Sequence, residues 1–138
     1  MYQIVYTSEG TVDFSSDDLR QLLAVARANN KISMLTGMLV FCDNQFLQVL
    51  EGDMADVVRT FDRIATDTRH DNLIALYRGN SHAGKTFTAS AMGFYSMALD
   101  VALPPGFARE AGRVRFAHFD EMQALNFLLA CREHQALA

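Results

Sequence analysis

Tyr6, Asn30 and Gln48 are polar side chains at positions where the hydrophobic pattern calls for apolar ones. Strand side chains alternate between faces, so Tyr6 shares a face with Tyr2 and Ile4, and Gln48 stands between Phe46 and Leu50. Leu19, Leu23 and Ala26 keep helical spacing, and Asn30 continues their stripe. A buried amide without partners costs about 1–3 kcal/mol. The three groups therefore either satisfy one another and nearby backbone, as buried polar groups commonly do, or share a ligand. Such a ligand would be flat and polar, pairing with the two amides within reach of a phenol.

The elements that must position these residues can be read along the chain. A first strand covers Tyr2 to Thr7. Ser15-x-x-Asp18 resembles a capping box, and the helix it opens runs to about Asn30 with Leu19, Leu22, Leu23 and Ala26 on one side. Strands at about Gly37–Cys42 and Gln45–Glu51 flank Asp43-Asn44, a two-residue hairpin turn. Asp53 is placed to cap a second helix whose buried stripe is Met54, Val57, Val58, Phe61 and Ile64. Leu73–Tyr77 and about Ala91–Met97 read as two further strands, Pro104-Pro105-Gly106 interrupts the chain, and a last helix spans about Phe119 to Glu133. In it, Met122, Leu125, Leu128, Leu129 and Arg132 share a side. The expected fold class is α+β: a ferredoxin-like β-α-β-β-α-β-β sheet, two helices on one face and the C-terminal helical tail on the other. A polar ligand reached by Asn30 and Gln48 would then sit between the first two helices. An isoalloxazine ring fits, with one apolar edge and one edge of donors and acceptors, although pattern alone does not choose it over another heterocycle.

At 138 residues the chain suits one domain, and its 50% hydrophobic content allows a full core. A net charge of −4, with no cluster of Lys and Arg, argues against a nucleic-acid partner. No apolar run is long enough to span a bilayer, and the N-terminus lacks the basic and apolar regions of a signal peptide. No membrane partner and a cytoplasmic location are the expectations. Cys42 and Cys131 lie far apart in sequence and read as reduced structural thiols. His70, His82, His118 and His134 form no metal-binding motif, so no metal site is expected.

Several segments in order carry a family resemblance. They are Ile4-Val5-Tyr6-Thr7-Ser8, Ala26-Arg27-Ala28-Asn29-Asn30, Leu35-Thr36-Gly37-Met38-Leu39, Gln45 through Gly52 as Gln-Phe-Leu-Gln-Val-Leu-Glu-Gly, Asp67-Thr68-Arg69-His70 and Met92-Gly93-Phe94. In these the chain resembles the BLUF family of blue-light photoreceptors from Tyr2 to about Met97. The resemblance implies a non-covalently bound flavin, FAD first, with FMN and riboflavin as alternatives. It implies that Tyr6 gives an electron and then a proton to the excited flavin. Gln48 links that tyrosine to the flavin N5 and O4 edge and rearranges by rotation or tautomerisation. Asn30 pins the O4/N3 edge, and Asn29 contacts the ring or ribityl chain. Asp67, Arg69 and His70 match residues near the ribityl-phosphate side and the ring, where a guanidinium suits a phosphate. Met92 takes the family's place near Gln48. The family's frequent Trp two residues earlier is replaced here by Ser90, and the chain has no Trp.

The resemblance implies a flavin-binding domain over 1–98; the C-terminal helical extension over 99–138 is expected to pack on the sheet or form partner contacts, because the first strands are apolar on both faces and need a second cover. It implies photosensing without catalytic turnover, through a rearranged hydrogen-bond network. Cys42, beside a turn, lacks the motif of cysteine-adduct photochemistry. No segment reads as an effector domain, so signal transduction is expected to pass through a downstream signalling protein or through homo-oligomer contacts. The rival readings are a small flavin-dependent oxidoreductase, for which no further acid–base constellation is visible, and a ferredoxin-like ligand-sensing module.

Overall fold

The computed structural model describes residues 1–82, 86–88, 91–97 and 102–132. The elements are β1 (Tyr2–Gly10), α1 (Ser16–Ile32), β2 (Thr36–Cys42), β3 (Gln45–Gly52), α2 (Met54–Ala65), β4 (His70–Asn80), β5 (Gly93–Ser96), a 3-10 turn (Phe116–His118) and α3 (Glu121–Arg132). One sheet has the order β4-β1-β3-β2-β5. Its first four strands are antiparallel neighbours, and β5 joins β2 in parallel. The expected α+β ferredoxin-like architecture and its added strand are both present.

Local signals explain much of this. Ser15 and Asp18 form the reciprocal capping box that starts α1. Asp43 and Asn44 both have positive φ, 54° and 57°, as a two-residue hairpin turn demands. Gly37 admits no side chain, because a Cβ there would lie 2.1 Å from the Val49 carbonyl oxygen of the neighbouring strand. The core lies on both sheet faces. Ile4, Tyr6, Leu39, Phe46 and Leu50 meet Leu19 and Leu23 of α1 and Val57 and Phe61 of α2. On the reverse face Val5, Val40, Leu47 and Val49 meet Ala124, Leu125, Phe127 and Leu128 of α3.

The differences from the sequence reading have physical causes. The fourth strand extends well beyond Leu73–Tyr77, because it pairs with β1 from His70 to Asn80 at an edge of the sheet, where its polar residues stay in solvent. The fifth is shorter than Ala91–Met97, since the carbonyls of Ala91 and Met92 accept side-chain hydrogen bonds from Asn30 and Arg27. Asp53 begins α2 without a side-chain cap bond, and Met54 points outward at 60% exposure. α3 buries Ala124, Leu125, Phe127, Leu128 and Cys131, so Met122 falls outside the packed stripe. Phe127 turns the helix, because it stacks into a cluster with Phe107, Phe116 and Phe119, three aromatics from the segment that precedes α3. Ser90 and the tail beyond Arg132, Glu133 included, lie outside the described residues.

Candidate functional site

A cavity of about 290 Å³ opens between α1 and α2 above the sheet. Its buried end is made by Tyr6 on β1, Gln48 on β3, Leu39 on β2 and Asn30 on α1. Leu22, Val25, Phe14, Phe46 and Ile64 supply apolar walls, and Arg63, Asp67 and Arg69 stand at the exposed end. The volume is close to the lower bound of about 300 Å³ for small-molecule sites, and apolar walls with few polar groups are their usual makeup.

The register explains the floor. Tyr6 pairs with Gln48 across β1 and β3, and Gln48 pairs with Leu39 across β3 and β2. The Tyr6 hydroxyl donates to Gln48 Oε1. Burial pushes the phenol's pKa far up, so Tyr6 stays protonated, and its ring meets the Phe61 edge at 5.2 Å. Gln48 Nε2 points at Met92 Sδ, 3.7 Å away. A thioether is a weak acceptor, so Gln48 is held firmly at its oxygen and loosely at its nitrogen. Rotation of this amide would exchange the two atoms.

Asn30 is 2% exposed, and its Nδ2 donates to the Ala91 carbonyl at 2.7 Å. Arg27 Nε donates to the Met92 carbonyl at 2.9 Å. The last turns of α1 therefore clamp the approach to β5 beside Gln48. At the other end Arg69 wraps Asp67, with contacts of 2.6, 3.0 and 3.1 Å. These bonds lower the Asp67 pKa to about 2 and raise that of Arg69. Arg69 is thus paired with Asp67 while its side chain stays about half exposed. Arg63 makes no ion pair among the described residues.

Of the residues singled out from the sequence, Tyr6, Asn29, Asn30, Gln48, Asp67, Arg69 and His70 all line this cavity. Met92 does not; it is fully buried behind Gln48. His70 lines the cavity with both nitrogens engaged by the protein, Nδ1 at 2.7 Å from Ser8 Oγ and Nε2 at 2.8 Å from the Ile64 carbonyl. Sequence reasoning missed Ser8, Thr60 and Arg63. Ser8 continues the alternation of Ile4 and Tyr6, and Thr60 lies three residues after Val57, so both signals were available. Among the described residues no group of three or more His, Cys, Asp or Glu side chains could hold a metal ion. None of their helices is long and apolar enough to cross a membrane.

The arrangement suits a planar ring with a polar edge against the two amides, apolar faces against the walls and an anionic group near the cations. Comparison with known proteins identifies a family. The model of the BLUF family, sensors of blue-light using FAD, matches residues 1–93. The photoactivated adenylate cyclase subunit alpha of Euglena gracilis is 32% identical over 74 residues, covering 54% of this chain and 7% of that protein. The blue light- and temperature-regulated antirepressor BluF of Escherichia coli is 30% identical over 73 residues, covering 53% of this chain and 18% of that protein. Among solved structures, BlsA in its ground state aligns with a TM-score of 0.65 at 29% identity, covering 70% of this chain and 65% of that one. Klebsiella pneumoniae BlrP1 with FMN and cyclic diGMP aligns at 0.62 and 26%, covering 99% of this chain and 30% of that one.

Proposed function

The chain belongs to the BLUF family of flavin-binding blue-light sensors, and we propose that it senses light through Tyr6 and Gln48, without catalytic turnover, around FAD held in the cavity between α1 and α2. The observation that carries the assignment is the Tyr6–Gln48–Met92 chain of contacts on the cavity floor. The donor set fits a flavin: Asn30 spends one N–H on Ala91 and keeps its oxygen, and Gln48 keeps a second N–H.

A bound flavin supplies the visible absorption and, when excited, an oxidising centre. The protein's part is to place a reductant and a movable amide beside it. Tyr6 is a neutral phenol whose O–H donates to Gln48 Oε1, so loss of an electron from Tyr6 would send that proton toward the amide. Rotated, Gln48 would direct Nε2 at the Tyr6 oxygen and Oε1 at Met92 Sδ, which offers it no proton. The present arrangement is therefore better satisfied by the protein alone, and the alternative needs a partner in the cavity. Two such arrangements form a bistable element on which illumination can act. The low local dielectric enlarges the difference between them.

Asn29 and Asn30 would hold the ring edge, and Arg63 and Arg69 would face the phosphates, with Asp67 fixing Arg69. FAD is preferred over FMN and riboflavin because the family is described by FAD. Residues 1–98 then form the sensor. Within the extension over 99–138, α3 packs on the reverse face of the sheet, and the extension carries the signal to a downstream protein, or to a second copy of the chain, in the cytoplasm. The test is an absorption spectrum of the purified protein in the dark and under blue light. A flavin spectrum that red-shifts reversibly, with no reductant consumed, is expected. A colourless protein that takes up no added flavin, or one that turns over NADH, would overturn the reading.

A further inference from the structure

Ser8 follows Tyr6 by two residues on β1, is 1% exposed and lines the same cavity. Its hydroxyl is 2.7 Å from His70 Nδ1, and His70 Nε2 is 2.8 Å from the Ile64 carbonyl oxygen. The partners fix the protons. A carbonyl oxygen only accepts, so Nε2 carries a proton in both charge states of the ring. In the neutral ring Nδ1 is then an acceptor, and Ser8 must donate its only hydroxyl proton to it. In the imidazolium Nδ1 donates instead, Ser8 accepts, and the hydroxyl proton is free to turn toward the cavity.

We propose that Ser8 is a ligand-contacting residue of the flavin site and that His70 is its positioning residue, which makes Ser8 an acceptor toward the cavity when neutral and a donor when charged. The proposal rests on the flavin reading and gives that site a pH-dependent affinity. An oxidised isoalloxazine ring offers several acceptors, ring nitrogens and carbonyl oxygens, against one imide N–H. A donating Ser8 therefore binds it better, and retention tightens as His70 gains its proton. The charged groups beside His70 are Asp67 and Arg69 from the α2–β4 turn, Arg63 on α2 across the same cavity and Asp71 next to it on β4. β3 contributes only the Phe46 ring, 6.4 Å away.

Arg63, Arg69 and a charged His70 would also attract a phosphate, so the test uses riboflavin, which has none. Binding of riboflavin to the full chain is measured by fluorescence between about pH 8 and pH 5, where histidine side chains change charge. The wild type should tighten about three- to tenfold on acidification, the worth of one hydrogen bond. Ser8→Ala should bind weakly with no such change. His70→Phe, which leaves the Ser8 proton free at every pH, should bind as tightly as the acidified wild type, also without change. A flat wild-type profile, or a Ser8→Ala profile that still follows pH, overturns the proposal and leaves the flavin reading intact. Failure of riboflavin to bind at any pH overturns the proposal, and the flavin reading falls with it only if FAD is not taken up either.

Discussion

Gln48 and Glu51 stand three residues apart on β3, face opposite layers of the sheet, and hold two ends of the same segment. Glu51 is fully buried on the α3 side. It accepts from Ser81 Oγ at 3.0 Å, from Gln3 Nε2 at 3.1 Å and from the Phe87 backbone N–H. Gln48, on the cavity side, donates to Met92 Sδ. The connection from β4 to β5 thus begins under one layer and ends in the other. Side-chain alternation along a strand, normally a way to separate core from solvent, here joins two cores.

Tyr6→Phe should retain flavin and lose the light-induced red shift, because the ring stays and the hydroxyl on Gln48 goes. Gln48→Leu should do the same, leaving the Tyr6 hydroxyl without its acceptor at a cost of about 1–3 kcal/mol. Absorption difference spectra check the first effect and denaturant unfolding the second. A normal reversible shift in either variant would remove that residue from the switch.

Asn30→Ala should release flavin more readily, since polar ring atoms lose a partner worth about 1–3 kcal/mol. It also unties Ala91, so the approach to β5 should exchange amide protons faster even without flavin. Equilibrium dialysis reads the first effect and hydrogen exchange the second. Changed exchange with unchanged flavin affinity would make Asn30 a clamp for β5 and nothing more.

The fold was legible in the sequence where local rules decide. The capping box at Ser15, the turn at Asp43-Asn44 and the alternation that puts Tyr6 and Gln48 on one face all need only near neighbours. The parts that escaped depend on distant partners. Nothing local shows that Ala91 and Met92 give their carbonyls to Asn30 and Arg27, which starts β5 late. The facing side of α3 is set by Phe107, Phe116 and Phe119, so a count of apolar residues within the helix misplaced Met122. The site shows the same division. Arg69 reads as a phosphate ligand by type, and only the folded turn reveals that Asp67 pairs with it and orients it.

Glu51 predicts a pH effect on stability that runs opposite to ordinary acid denaturation. Burial is the main cause of its raised pKa, and it outweighs the bonds from Phe87, Ser81 and Gln3. Between the ordinary carboxyl value of about 4.3 and its higher value in the fold, the native state binds more protons than the unfolded chain. Stability contributed by this group is present below that window and is lost as pH rises through the folded value. The midpoint of thermal unfolding should therefore gain from Glu51 as pH falls through that window, and Glu51→Gln should lack that gain. Parallel pH profiles for the two proteins would show that Glu51 does not titrate in this way.

Light absorbed beside Gln48 should reach the reverse face through the connection from β4 to β5. Arg132, in the last turn of α3, donates to the Thr86 carbonyl at 2.8 Å and lies 5.7 Å from the centre of the Phe87 ring. His82, near the start of the same connection, sits 3.8 Å from Glu121 at the start of α3. Both ends of α3 therefore touch a segment whose far end contacts Gln48 through Met92. A turn of the Gln48 amide would exchange the atom facing Met92 from a donor to an acceptor, and the thioether has no proton to offer it. Met92 must then move or lose its contact, and Ala91 and Phe87 lie on the same short run of chain. Hydrogen exchange of Glu121–Arg132 should rise under steady blue light, while the centres of α1 and α2 stay unchanged. Arg132→Met keeps an apolar stem over Phe87 but drops the bond to Thr86, so it should retain flavin and the red shift while α3 responds less to light. If α3 exchanges identically in dark and light, the signal leaves from the cavity rim instead, and Arg132 serves only to pack the tail.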